Sequence, residues 1–344
     1  MKDESRSHGS EEDPSRKCCR SSGIDDVSNR SNSSAEDADV PRATCIPCPK
    51  DQRKPGNPGS FEEIHKKVKD LYPRHFEGIR LVVNKILSKH FQVKHTLTMS
   101  SVTPAGYKFG ATYAGTKRVG MHESYPVAIG EIAPNGSMTG SFVHTLGCRL
   151  RLKYSAQIDS HQKYKACSST AEYRSDDFTI SLTLANPSFI KRQGTVVLHF
   201  LQSITSRIAL GAEVACLRGS LIPGGQETIM SGAFRYSTGR TTLSGTLGEA
   251  GLHLCYHQKA SEQLQLGVEL ETNMRTHESV ATIVYRVDVD YADLVFRGYV
   301  NSETTVAAVL EKKLYPIPES SLVLSAMLNH AKQQFRVGIG INIG

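Results

Sequence analysis

The sequence predicts an all-β transmembrane barrel of about nineteen strands, entered through a short amphipathic helix and a disordered N-terminal arm. Three observations predict it. From about Gly78 to the end the apolar residues recur with period two rather than 3.6. Their polar faces are rich in Gly, Ser and Thr, which suit a water-filled lumen better than a solvated outer surface. Nearly the whole strand region lacks a second helical layer, and with no Trp and 11 Phe it offers a weak dry core for its size. No apolar run approaches the ~18–20 residues of a membrane-spanning helix; a spanning barrel needs only alternate residues to be apolar.

Residues 1–59 form the arm. The first 60 residues contain no Leu, Phe or Tyr, and Ser is the dominant residue of the first 40. Such a segment cannot bury enough apolar surface to offset chain entropy. It closes on the Pro/Gly linker KPGNPGS. Residues 60–77 carry the helix: Ser60 stands at the N-cap, Glu63 at the capping-box position, and Pro73 ends the run. Phe61, Ile64, Val68 and Leu71 fall on one stripe. The stripe is short and broken by charges, which places the helix inside or across the barrel rather than on its outside.

Residues 78–344 form the barrel. Phe178, Ile180, Leu182 and Leu184 alternate with Thr179, Ser181 and Thr183. Leu264, Leu266, Val268 and Leu270 alternate with Gln265, Gly267, Glu269 and Glu271. Phe335, Val337, Ile339, Ile341 and Ile343 alternate with Arg336, Gly338, Gly340 and Asn342. Turn signals recur between such runs: PNGS at 134–137, ANPS at 185–188, PGGQ at 223–226, STG at 237–239 and GEAG at 248–251. Eighteen or nineteen segments result, depending on whether 78–88 and 90–101 are one bent strand or two. A soluble all-β binding protein alternates in the same way, with its apolar face on a dry core; that is the reading the small polar faces and thin core oppose.

The remaining bulk properties narrow the function. Net charge is +7, and the arm is nearly neutral, so the excess sits on the barrel region. No basic run of five or six residues occurs, so no nucleic-acid partner is expected. Eight cysteines are too dilute for a disulfide scaffold. The N-terminus lacks the apolar stretch of a secretory signal, and its acids, among them Glu11, Glu12 and Asp13, are unlike a transit peptide.

The segments PGNPGSFEEIHKKVKDLYP, HFQVKHT, FLQSIT, HQKASEQLQLGVELE, LEKKL and the final FRVGIGINIG resemble the mitochondrial porin family, on its protein-translocating branch. The resemblance covers about 55–344. It implies nineteen strands with the first and last parallel, residence in the mitochondrial outer membrane, and passage of unfolded precursor polypeptides. It further implies partners: precursors with basic presequences, the receptors and small single-helix subunits of the outer-membrane translocase, surrounding lipid, and further copies of the same chain. A metabolite- or anion-diffusing pore is the alternative within this fold. The resemblance also implies a C-terminal sorting signal, which Arg336, Gly338, Ile341 and Ile343 fit.

Neither an enzyme nor a cofactor is expected. Cys45 and Cys48, with Cys18 and Cys19, sit in the disordered arm and read as unstructured thiols. His253, Cys255 and His257 share one strand face, but neighbours on one face lie ~7 Å apart, so three do not close easily on a single ion; no metal is expected there. GTKRVGM at 115–121 lacks the Lys-Ser/Thr of a phosphate loop. The lumen carboxylates are the remaining candidates. With apolar residues facing lipid, parity puts Glu172, Glu213, Glu269 and Glu271 inside, where they attract basic targeting segments weakly or pair with lumen cations such as Arg174 or Arg336.

Overall fold

The computed structural model describes residues 56–344 apart from 103–104, 119–123, 148, 160–164, 189–192, 221, 223, 250 and 316–318. Residues 1–55 of the arm, with its four cysteines, lie outside the described residues. So do Cys148 and part of the 115–121 segment.

Nineteen strands run from β1 (Gly78–Ser88) to β19 (Gln334–Ile343) and pair in one sheet. Each pairs antiparallel with its sequence neighbour, and the sheet closes by a parallel pairing of β1 with β19. With an odd count the first and last strands necessarily point the same way. In that seam Gly78 lies opposite Gly338 and Val83 opposite Ile343. The ambiguous opening resolves into two strands, β1 and β2 (Phe91–Met99), joined by a tight turn.

The alternation fixes which face looks outward. Ile79, Leu182, Val268 and Ile339 are all exposed, each between lumen-facing neighbours that are polar or glycine, and Leu198 and Leu324 are exposed on the same side. So many exposed aliphatic side chains on one continuous surface are what lipid, not water, accommodates. Closure leaves no edge, so the backbone groups of every strand find partners within the sheet.

One turn signal is placed differently. ANPS at 185–188 lies within β8 (Phe178–Ser188), where Asn186 has φ 48° and the register with β9 (Gln193–Ser203) shifts between Ala185 and Ser188. Asn tolerates the left-handed conformation, so the dipeptide makes a bulge rather than ending the strand.

Gly338, placed by the sequence in the C-terminal sorting signal, also has a packing role on the lumen side. Phe76 lies across β19: its amide donates to Ser325 Oγ at 3.0 Å, and a Cβ on Gly338 would meet the Phe76 ring at 2.8 Å. Gly340 is covered by the same ring. The glycines are seats for an aromatic side chain.

Two substitutions separate the faces of this strand. Ile339→Lys, at mid-strand on the outer face, should lower barrel stability in bilayers by ~2–4 kcal/mol, and Ile341→Lys, nearer the strand end, by less. Gly338→Asp should fold poorly even in detergent, because it displaces Phe76. Urea titration of the refolded barrels checks all three; a Gly338→Asp protein as stable as wild type would remove the seat.

Candidate functional site

Residues 56–77 cross to the lumen side and follow the inner wall. The chain winds from Ser60 to Tyr72 largely by i→i+3 bonds, as a 3-10 turn at Phe61–Glu63 and a single α turn, α1 (Lys66–Lys69). The segment is thus tighter and shorter than a three-turn α-helix. The expected capping box is not formed: Ser60 makes no side-chain cap bond and Glu63 pairs with Lys66 at 3.2 Å. The stripe itself is fully used. Phe61, Ile64, Val68 and Leu71 are all buried.

What they bury against explains lumen residues that a purely polar channel would not need. Phe61 and Ile64 form a dry cluster with Leu201 of β9, Ala209 of β10 (Ile208–Arg218) and Ala233 of β11 (Gln226–Ser237). Phe61 also stacks on His199, with ring centroids 4.7 Å apart. Val68 and Leu71 lie over Gly267 of β14 (Leu264–Asn273), where an added Cβ would meet Leu71 at 3.1 Å and Val68 at 3.2 Å.

Polar contacts fix the segment's position along the wall. Asn57 Nδ2 donates to the Ser175 carbonyl at 2.5 Å, and Arg235 Nη2 to the Pro58 carbonyl at 2.6 Å. Glu62 pairs with Lys153 of β6 (Leu150–Ile158) at 3.4 Å. His65 Nδ1 bonds Ser244 Oγ of β12 (Thr241–Gly248) at 2.9 Å, and Lys67 donates to Thr242 Oγ1 at 2.7 Å. The Tyr72 hydroxyl donates to Glu269, and its ring meets Tyr299. Four buried side chains at ~1.5–3 kcal/mol each outweigh an exposed ion pair at ~0.2–1 kcal/mol. Docking is therefore apolar first, with the polar contacts setting register.

The four lumen carboxylates fare differently from one another. Glu172, on β7 (Lys165–Arg174), is fully buried; Arg174 Nε reaches it at 2.6 Å and Lys153 at 3.8 Å. Glu213 pairs with His199 at 3.2 Å and keeps partial access to the lumen. Glu269 is buried between Tyr72 and His253. Glu271 is the open one, with a side chain 63% exposed, and it reaches His253 at 3.6 Å. Arg336 faces Glu77 at 3.8 Å rather than any of the four.

His253, Cys255 and His257 all lie on β13 (Gly251–Lys259) with their side chains toward the lumen. His257 turns to Gln265 at 3.5 Å, while His253 Nε2 and Cys255 Sγ come within 3.3 Å of each other. Side chains can therefore close the ~7 Å strand spacing. The third neighbour is His65, whose ring centroid is 4.2 Å from that of His253. Sequence alone gave no signal of this, because the helix residue and the strand are joined only by docking.

Burial, with His253 and Lys69 close by, pushes the His65 imidazole down to about 4, against an ordinary 6.5; the opposing pull of Glu269 is smaller. Between those values the undocked segment binds a proton that the docked one does not. The His65 contribution to docking is thus fully present above about pH 6.5 and is lost progressively as the pH falls toward 4.

Two measurements check the placement. With the native cysteines changed to Ser, the pair Val68→Cys and Gly267→Cys should form a disulfide, whereas Val68→Cys with lipid-facing Leu266→Cys should not. A spin label at Asp70, an exposed position, should gain mobility as the pH drops from 6.5 to 4. The same label should stay constant over that range in His65→Phe.

Residues 57–338 match the eukaryotic porin family, a span that takes in both the docked segment and the barrel. The chain is 48% identical to mitochondrial import receptor subunit TOM40 homolog 2 of Drosophila melanogaster over 84% of each chain. It is 43% identical to the TOM40 homolog of Homo sapiens, over 84% of this chain and 78% of that one. With TOM40B of Mus musculus the identity is 41%, over 84% and 92%. The chain belongs to the eukaryotic porin family, and within it to the group formed by these TOM40 homologues.

Proposed function

We propose that the chain is a protein-conducting channel of the mitochondrial outer membrane, passing unfolded precursor polypeptides through its lumen. The observation that carries this is continuous similarity to proteins named as mitochondrial import receptor subunits, over a region that includes the lumen segment as well as the strands. The geometry supports it. The docked segment reaches from β6 round to β19, and between β2 and β6 lumen-facing Thr112, Thr139 and Ser141 line a polar path.

A moving polypeptide has to be held weakly. Buried, ion-paired charges such as Glu172 serve the wall; the accessible Glu271 and Glu213 serve the passing chain. Basic presequences meet these two carboxylates at exposed-pair strength, ~0.2–1 kcal/mol each, which permits release. The remaining subunits of the outer-membrane translocase, and further copies of the chain, pack against the lipid-facing surface.

The test is current through the full-length protein in a planar bilayer. A basic amphipathic peptide should interrupt the current transiently, and an uncharged peptide of equal length should not. Glu271→Gln and Glu213→Gln should each shorten the interruptions by about fivefold at most, and Glu172→Gln should leave them unchanged. A pore that passes small anions but ignores the basic peptide would instead be a metabolite channel.

A further inference from the structure

Where the docked segment meets β12, β13 and β14, four side chains with metal-ligand chemistry converge. Ser244, Cys255 and Glu269 are direct cross-strand neighbours in one row, and His253 sits one position along β13 on the same face. His65 descends on them from the segment. Ligand atoms of His65, His253 and Cys255 all lie within 4.8 Å of one another, and those of His253, Glu269 and Glu271 form an overlapping group.

The distances around His253 and Cys255 suit a single small ion, and His253 joins the two ligand groups, since His65 and Glu269 do not share one. Four ligands at Zn–N ~2.0–2.1 Å, Zn–O ~2.0–2.2 Å and Zn–S ~2.3 Å in a tetrahedron stand about 3.3–3.6 Å apart. His253 Nε2 to Cys255 Sγ is 3.3 Å and Cys255 Sγ to Glu269 Oε1 is 3.7 Å. Only His253 to Glu269, at 2.5 Å, is shorter, because the two share a proton in a hydrogen bond.

An independent observation points to a missing positive partner. His65 is buried at 7% exposure, and its Nε2 has no hydrogen-bond partner. Nδ1 is engaged by Ser244, so the tautomer that donates from Nδ1 leaves the Nε2 lone pair bare in a buried place. The cluster also has the outer supports that metal sites use: Ser244 orients His65, and the Tyr72 hydroxyl holds the second oxygen of Glu269.

We propose that His65, His253, Cys255 and Glu269 bind one divalent transition cation of the zinc class, which fastens the lumen segment to the barrel wall. A mixed set of two imidazoles, a thiolate and a carboxylate selects zinc over magnesium or calcium, which take all-oxygen sites. Binding requires the Cys255 thiolate and releases its proton, so it strengthens with pH.

The experiment uses the full chain refolded in detergent, with Cys18, Cys19, Cys45 and Cys48 changed to Ser so that the arm contributes no thiolate. Co²⁺ is the probe, read by its thiolate charge-transfer and tetrahedral bands, with Zn²⁺ as competitor. One Co²⁺ per chain is expected, displaced by Zn²⁺, with the charge-transfer band lost in Cys255→Ser. His65→Ala, which alters no strand, should abolish tetrahedral binding. Ser244→Ala leaves every ligand in place and should weaken it by about 10–100-fold. Zn²⁺ should also immobilise the Asp70 spin label, and not in His65→Ala. Absence of stoichiometric Co²⁺, or tetrahedral bands that survive His65→Ala, would overturn the proposal.

Discussion

Everything in this molecule depends on the parallel pairing of β1 with β19. In hydrocarbon an unpaired strand edge leaves a row of backbone groups without partners, each at a cost of several kcal/mol. Eighteen antiparallel pairings bring the chain nearly round; only the nineteenth, between strands pointing the same way, removes the last edge. Closure in turn divides the side chains into a lipid face and a lumen face. That division creates a sheltered interior in which a short helical segment is stable.

The interior is not a uniform polar tube. Leu201, Ala209, Ala233 and Gly267 are small or apolar positions of a largely polar face, and each lies beneath a side chain of the docked segment. Wall and segment are complementary in the way two halves of a core are. Charge follows the same logic: Glu172 and Glu269 are consumed in holding wall and segment, while Glu213 and Glu271 keep access to water.

Period two made the barrel and its two faces legible, because burial on one side of a strand forces alternation whatever the partner strand is. Counting left eighteen or nineteen strands open; the parallel closure was implied by the family resemblance. Harder to read were features that depend on contacts between distant segments. Ala185-Asn186-Pro187 has the composition of a turn, yet hydrogen bonding to β9 carries the strand through it as a bulge. Gly338 read as part of a terminal recognition pattern; its local need is space for Phe76, some 260 residues earlier. Glu172 with Arg174 was visible from spacing alone, since residues two apart share a strand face. The meeting of His65 with His253 and Cys255 carried no such spacing, and the ~7 Å strand repeat argued against it.

The seating of Phe76 on Gly338 and Gly340 bears on the order in which the molecule is made. The residues that begin the barrel find their resting place only on the strand that completes it. A nascent chain that has not yet released β19 has neither a partner for Gly78 nor a floor for Phe76. One edge of its first strand must wait, unpaired, for its last. The rate of assembly is therefore set by the slowest kind of contact a chain can make, one between its opposite ends. During that interval the first and last strands are open edges that have to be shielded.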